Sequence, residues 1–318
     1  MSSLLIIGGT GFFGKSILDG FNRGLLGKWN IQKIIVMARN PGKLKSEAPE
    51  LLSDKVELFS ADIAKVDSLP DADYVIHAAA STDASKYLSQ GEEERKNIIS
   101  AALNYCRLAP IFHKNSKIVF CSSGAVYGQQ PSGVGFLEEN MDFGDAENLA
   151  ENKKAYAYAK RDSEKAFQSL AVDNNMNVSV ARCFAFVGKY LPRDQHFAIG
   201  NFIADTLKGQ SIQVKAPHLV YRSYMYSDDL VEWLMTLCGS GNQNCPIYNV
   251  GSDISIELRD LANLLADISG REHISYVKTS DYIDRYVPSV DLAKHSLGVS
   301  LRTDLRTALS QILKNEIL

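Results

Sequence analysis

Three glycines spaced three apart, Gly8-x-x-Gly11-x-x-Gly14, follow directly on four apolar residues, Leu4-Leu5-Ile6-Ile7. Glycine lets a backbone come close to a ligand, and the free N–H groups at a helix start face negative charge. Strand, glycine turn and helix in that order are what a dinucleotide pyrophosphate needs. A tight strand–helix turn with no ligand is the alternative. The place of this turn at the head of an alternating strand–helix chain favours the nucleotide. A second set of chemically able residues lies far along the chain. Tyr156 and Lys160 are four apart in the helical stretch from Lys153 to Leu170, so they share one face. That spacing is common by chance, but small alanines leave this face open, and the pair Ser122-Ser123 follows the preceding apolar run.

The elements that must position these residues alternate. Apolar runs over Leu4–Ile7, Lys33–Arg39, Val56–Ile63, Asp73–Thr82, Lys117–Cys121 and 178–188 read as strands. Helices are expected from Lys15, over Glu93–Leu108 and Lys153–Leu170, up to Leu207, from a Ser227-Asp228-Asp229 cap through Leu237, over Glu257–Ile268, and as an amphipathic helix at the end of the chain. That is an α/β pattern with a parallel sheet. Residues 129–152, rich in Gly, Pro, Asn and Glu, read as a surface loop over the site.

Several strand ends carry further candidates. Arg39 ends the second strand where an acidic residue commonly grips ribose hydroxyls; an arginine there could accept a 2′-phosphate, a modest lean to NADP, or simply face solvent. Asp62, with Ile63 beside it, could bind an adenine amino group or cap a turn. Ala78-Ala79-Ala80 would let a flat cofactor lie across the strand ends, where open α/β sheets bind ligands. His77 reads as a packed strand-end histidine rather than a catalyst.

The totals exclude other classes. The chain has 318 residues, 45% of them hydrophobic, and a net charge of −3, so no basic face for nucleic acid is implied. No apolar run approaches the ~20 residues of a membrane span. The five cysteines include no Cys-x-x-Cys pair, which fits a reduced cytoplasmic protein without a metal site.

With the glycine turn, Ala78–Ala80, Ser122-Ser123-Gly124-Ala125-Val126-Tyr127-Gly128 and Tyr156-x-x-x-Lys160, the chain resembles the extended short-chain dehydrogenases/reductases, and within them the nucleotide-sugar epimerase/dehydratase family. Arg182-Cys183-Phe184 with Val187-Gly188, Arg222–Tyr226 before Asp229, and Tyr248-Asn249-Val250-Gly251 extend the likeness nearly end to end. The resemblance implies a Rossmann-type doubly wound parallel sheet formed by residues 1–184 plus about 225–250, with a smaller C-terminal substrate-binding domain formed by 185–224 and 251–318. It implies NAD(P) held by Gly8, Gly11, Phe12, Phe13, Gly14, Arg39, Asp62, Ile63, Ala78, Ala79, Ala80, Tyr156 and Lys160. It implies a catalytic Ser123, Tyr156 and Lys160: a phenolate stabilised by a lysine and the positive nicotinamide removes a hydroxyl proton, and the serine fixes the reacting oxygen. Ser123, Gly124, His196, Asn201, Arg222 and Arg285 would meet a nucleotide-diphosphate sugar, the two arginines through its diphosphate. Each arginine could equally form a surface ion pair, and His196 and Asn201 could be structural.

Departures narrow the activity. The family's 4,6-dehydratases place an acidic pair in the loop after the fifth strand, where this chain has Ser123-Gly124-Ala125-Val126, so dehydration is disfavoured. An epimerase or a 4-ketoreductase acting on a hexose carbon remains, in a homodimer by family expectation. A protein of the same fold that binds NAD(P) as a sensor or scaffold is the alternative; the intact Ser123, Tyr156 and Lys160 weigh against it.

Overall fold

The computed structural model describes residues 2–80, 84–144, 149, 151–195, 197–270, 274–276, 280 and 282–317, with backbone alone at 84–89, 151–152 and 317. Six strands, β1 (Ser2–Ile7), β2 (Ile31–Ala38), β3 (Val56–Ser60), β4 (Tyr74–His77), β5 (Lys117–Ser123) and β6 (Asn177–Cys183), join the strand Ile247–Val250 in one parallel sheet. From one edge the order is β3, β2, β1, β4, β5, β6 and Ile247–Val250. The chain therefore winds outward from β1 in one direction and from β4 in the other. Ile7 stands level with Met37 on one side and His77 on the other. The crevice between the ends of β1 and β4 is the switch point at which such sheets bind ligands. This is the Rossmann-type fold expected.

Strand periodicity explains the two layers of core. Leu4 and Ile6 point to one face, where they pack with helix α1 (Phe12–Asn22) and with Trp233 of helix Ser227–Ser240. Leu5 and Ile7 point to the other, with Tyr105 and Phe167 from helices Ala84–Phe112 and Glu151–Asn174. Each fully buried Leu or Ile contributes about 1.5–3 kcal/mol. A third apolar cluster, including Val187, Ile199, Phe202, Leu261, Leu309 and Ile312, joins helices Ala198–Leu207, Leu258–Ser269 and Leu305–Ile317. Short strands lie beside it: Leu219–Ser223 pairs antiparallel with Ser255–Glu257 and parallel with Ile283–Tyr286, and Ile212–Val214 pairs with Ile274–Tyr276. Val290, Ala293 and Val299, late in the chain, pack into the first cluster on the central sheet.

Some boundaries differ from expectation. α1 begins at Phe12, three residues before Lys15, because the glycine turn is completed by Gly11. The helix over Glu93–Leu108 extends from Ala84 to Phe112 with a kink at Gln90. The Ser227-Asp228-Asp229 stretch is the first turn of its helix rather than a cap, and no side chain caps that end. Asp229 instead accepts hydrogen bonds from the N–H groups of Arg302 and Thr303, each at 3.2 Å, tying the last part of the chain down. Among the described residues no helix is long and apolar enough to cross a membrane.

Candidate functional site

The glycine turn is built around three different needs. Gly8 has φ +86°, its N–H donates to the Met37 carbonyl at 2.8 Å, and a Cβ there would fall 2.8 Å from the Ala78 carbonyl. A side chain on Gly14 would run into the Gly9 backbone. These two glycines let the ends of β1 and β4 and the start of α1 close on one another. Gly11 is different: the nearest atom to a Cβ there is the Gly8 oxygen at 3.7 Å, so the space outside it is open. Gly11 also stands immediately before the first residue of α1, an end with no side-chain cap and no acid in the first turn. Free N–H groups opening on an uncrowded backbone fit a pyrophosphate. Phe12 and Phe13 contribute only backbone to that opening. Their rings pack inward, Phe13 edge-on to Phe186 at 5.2 Å.

The remaining cofactor candidates divide. Ala78, Ala79 and Ala80 are partly buried, the first two against Gly8, and Ala80 and Tyr156 both pack against Ile98 and Ala159. Arg39 is exposed beyond β2, and among the described residues it has no carboxylate partner. The Asp62 carboxylate accepts the Ala64 N–H at 3.1 Å, so the turn-capping role open to it is in place. Ile63 is buried in the second core layer. His77 is a packed residue, as expected: its ring is enclosed by Tyr105, Phe120 and Phe167, and burial, aided by the Lys160 charge, lowers its pKa to about 3.

Ser123, Tyr156 and Lys160 come together at the carboxyl end of β5. Tyr156 and Ser123 share a hydrogen bond. The Ser123 Oγ also accepts the Ala125 N–H at 3.2 Å, which holds it at the head of the Gly124–Tyr127 turn. Lys160 is only 2% exposed; its Nζ donates to the Cys121 carbonyl at 2.7 Å and lies 5.7 Å from the Tyr156 ring centre. Burial lowers the ammonium pKa to about 8 and raises the phenol above its ordinary range, against the pull of the Ser123 bond. The buried thiols of Cys121 and Cys183 flank the lysine, and burial holds the Cys183 thiol well above its usual pKa.

Sequence reasoning missed Tyr286. Its hydroxyl lies beside Ser123; burial raises the phenol pKa while the serine pulls it down, and the ring packs on Phe184 at 4.6 Å. Gly124 exists for these two: a Cβ there would lie 2.5 Å from the Tyr286 hydroxyl and 2.7 Å from the Phe184 ring. Nothing in the run Ile283–Tyr286 marks the tyrosine from sequence, because its partners lie more than a hundred residues away. A buried polar network beneath the turn was missed too, though Arg182 and Asn249 sit in the Arg182-Cys183-Phe184 and Tyr248–Gly251 stretches. Ser122 donates to Glu164 at 2.5 Å, and Glu164 pairs with Arg182 at 2.9 Å. Arg182 donates to the Tyr127 hydroxyl at 3.0 Å, and Tyr127 donates to Asn249 at 2.8 Å. Asn249 in turn donates to the Leu137 and Ser289 carbonyls. The loop that follows β5 is thereby fastened to residues 287–289, and Leu137 is buried; residues 145–148 and 150 of that loop lie outside the described residues.

The substrate candidates are spread out. Arg222 pairs with Asp284 at 2.7 Å and lies 6.0 Å from the Tyr286 ring, so it shares the Tyr286 side of its small sheet. Arg285, next to Tyr286, points to the opposite face and stacks on Tyr221 at 4.3 Å, away from Ser123. Asn201 donates to the Gln195 carbonyl at 2.9 Å, a structural tie at the head of helix Ala198–Leu207. His196 lies outside the described residues.

Known proteins share this architecture. The family model of the NAD dependent epimerase/dehydratase family matches residues 4–251. UDP-glucuronic acid decarboxylase 6 of Arabidopsis thaliana is 24% identical over 310 residues, covering 96% of this chain and 86% of its own length. The crystal structure of UDP-glucose 4-epimerase from Thermotoga maritima with UDP-glucose superposes with a TM-score of 0.81 at 20% identity, covering 98% of this chain and 97% of that one. A dTDP-glucose 4,6-dehydratase from Streptomyces venezuelae with NAD bound also gives 0.81, at 18% identity, covering 98% and 96%.

Proposed function

The chain belongs to the NAD dependent epimerase/dehydratase family, and from that premise we propose that it is a nucleotide-sugar enzyme, a 4-epimerase or 4-ketoreductase, that moves hydride and proton at a hexose carbon. The observation that carries this reading is the convergence of Tyr156, Ser123 and Lys160 at the strand end next to the glycine crevice. Bound NAD(P) would supply the hydride acceptor and donor. The Gly8–Gly14 turn and the start of α1 would hold its pyrophosphate, and Ala78–Ala80 would leave room for it to lie across the sheet. Arg39, exposed and without a carboxylate beside it, supports tolerance of a 2′-phosphate and so NADP.

Ser123 would receive the sugar hydroxyl that Tyr156 deprotonates, and the same phenol would return the proton when the ketone is reduced. Lys160, poised near pH 8, would supply positive charge to the phenolate when protonated. Tyr286 would crowd the opposite side of the Ser123 hydroxyl. Arg222 would be free to meet the diphosphate only by releasing Asp284; Asp62 would meet the adenine and Asn201 and His196 the sugar, while Arg285, stacked on Tyr221, would stay outside the site. In this scheme the cofactor sits on residues 1–184 with about 225–250, and the sugar between these and 185–224 with 251–318. Exposed Leu103, Ile111 and Val172 on the helices Ala84–Phe112 and Glu151–Asn174 support a homodimer through those helices.

A second reading has support in the likeness to a UDP-glucuronic acid decarboxylase. Oxidation next to the carboxylated carbon makes a β-keto acid, which loses carbon dioxide without an additional acidic residue. Loss of water would need a proton donor, and the Gly124-Ala125-Val126 turn offers none.

The test is a panel of UDP-, dTDP-, CDP- and GDP-hexoses, their 4-keto derivatives and UDP-glucuronic acid, each with NAD and NADP in oxidised and in reduced form. An epimerase converts its substrate with no net change in the reduced-nicotinamide absorbance. A reductase consumes one cofactor per turnover. A decarboxylase releases carbon dioxide. Binding of cofactor with no turnover of any member sinks the enzymatic reading and favours a sensor or scaffold.

A further inference from the structure

Three residues of helix Glu151–Asn174, each four apart, face three consecutive residues of β5. Tyr156 meets Ser123 by a hydrogen bond, Lys160 donates to the Cys121 carbonyl at 2.7 Å, and Glu164 accepts the Ser122 hydroxyl at 2.5 Å. The first two contacts belong to the proton-handling set. The third lies between them on the strand and one turn beyond them on the helix. Glu164 does not touch the reacting groups. It is gripped from β6 by Arg182, through Nε at 3.1 and 3.3 Å and Nη2 at 2.9 Å, so both carboxylate oxygens are oriented.

We propose that Glu164, held by Arg182, is a positioning residue: through Ser122 it locks the register of the helix against β5 and so sets where Lys160 and Tyr156 stand relative to Ser123. The proposal rests on the function assigned above to those three.

Two physical points support it. The Glu164 and Arg182 side chains are 3% and 5% exposed. Taking both charges out of water is costly, and an apolar pair of the same volume is often as stable or more so. A buried ion pair at this place is therefore poorly accounted for by stability. It is well accounted for by direction, because a carboxylate pinned by a guanidinium fork can accept the Ser122 hydroxyl along one line only. The second point is the neighbouring contact. The Cys121 carbonyl that anchors Lys160 is in the residue just before Ser122, and the Ser123 hydroxyl is in the residue just after. A shift of Ser122 moves both.

The experiment uses the full chain. Ser122→Ala removes one hydroxyl and leaves the Glu164–Arg182 pair in place. The expected result is a fall in kcat on the active nucleotide hexose of about 10- to 100-fold, the size of effect that a misplacement near 1 Å produces. KM stays near its native value, cofactor affinity falls far less than kcat, and Ser122→Thr, which keeps the hydroxyl, restores turnover. A second arm needs no substrate. Lys160 is acylated with an amine-selective reagent and the modified peptide is quantified by mass spectrometry; the rate rises severalfold in Ser122→Ala as the lysine is released from its carbonyl. An unchanged kcat, an unchanged Lys160 rate, or a loss of cofactor affinity parallel to the loss of kcat each overturns the proposal. Absence of turnover in the native protein counts against the functional assignment instead, and the Lys160 rate then decides the positioning role alone.

Discussion

The Tyr286 hydroxyl lies 2.5 Å from the point at which a side chain on Gly124 would begin. The two residues are far apart in sequence, and the absence of atoms on one makes room for the other. Gly124→Ala forces either the tyrosine tip or the Phe184 ring to move, and the ring is confined by its packing on Tyr286. Overpacking of this kind costs about 1–3 kcal/mol. A thermal melt should show that loss together with reduced turnover. A variant with native melting and native kcat would show that the contact can relax freely.

Gly11 and Gly14 separate binding from folding. Gly14→Ala drives a methyl into the Gly9 backbone and should lower both stability and cofactor affinity. Gly11→Ala meets only one atom, at 3.7 Å, and should melt within about 0.5 kcal/mol of the native protein, as surface substitutions usually do. Its methyl stands in the open space assigned to the pyrophosphate. Calorimetric titration with NAD and NADP should therefore show weakened binding in a fully folded protein. Unchanged affinity in Gly11→Ala would move the phosphates away from this turn.

Tyr156→Phe keeps the ring and removes the proton carrier. Turnover should fall by about 10²- to 10⁴-fold, the usual contribution of a placed acid–base group. Cofactor binding should persist. Undiminished activity on every substrate that the native protein accepts would rule Tyr156 out as the base.

His77 makes stability fall in acid. Its pKa in the folded chain is lowered from 6.5 to about 3, chiefly by burial. Above 6.5 the ring is neutral in both the folded and unfolded chain, and pH has no effect through it. Between 6.5 and about 3 the unfolded chain takes up a proton that the folded chain refuses, so stability is lost as pH falls. At full extent the loss is on the order of 5 kcal/mol. Urea denaturation from pH 7 down to about 4 should show a flatter profile for His77→Leu than for the native chain. Parallel profiles would mean that another group carries the acid sensitivity.

Local signals made the sheet and the proton-handling residues readable. Leu4–Ile7 is apolar on every position because both faces of β1 are covered, and the glycines that follow can only be a turn. Tyr156 and Lys160 declare a shared face by spacing alone. Tyr286 and Asn249 declare nothing of the kind. Tyr286 is one aromatic residue in a short strand, and its role depends on a glycine and a serine from β5 being brought opposite it. Arg222 illustrates the reverse problem: a guanidinium suits a phosphate, but sequence cannot show that Asp284 already occupies it. Phe12 and Phe13 were placed by their neighbours in the turn, and only the packing of Phe186 decides that their rings face inward.

The fastening of Leu137 to residues 287–289 has a consequence for the life of the chain during its synthesis. The Leu137 N–H waits for the Val287 carbonyl, and the Leu137 carbonyl for the Ser289 N–H and the Asn249 amide. All seven strands of the central sheet have been made once residue 250 is complete, some forty residues earlier. A nascent chain halted there has Asn249 to meet Leu137, yet the turn carrying Ser123 still lacks Tyr286 and the loop after it lacks Val287 and Ser289. The protein is thus built so that the scaffold emerges early and competence emerges last.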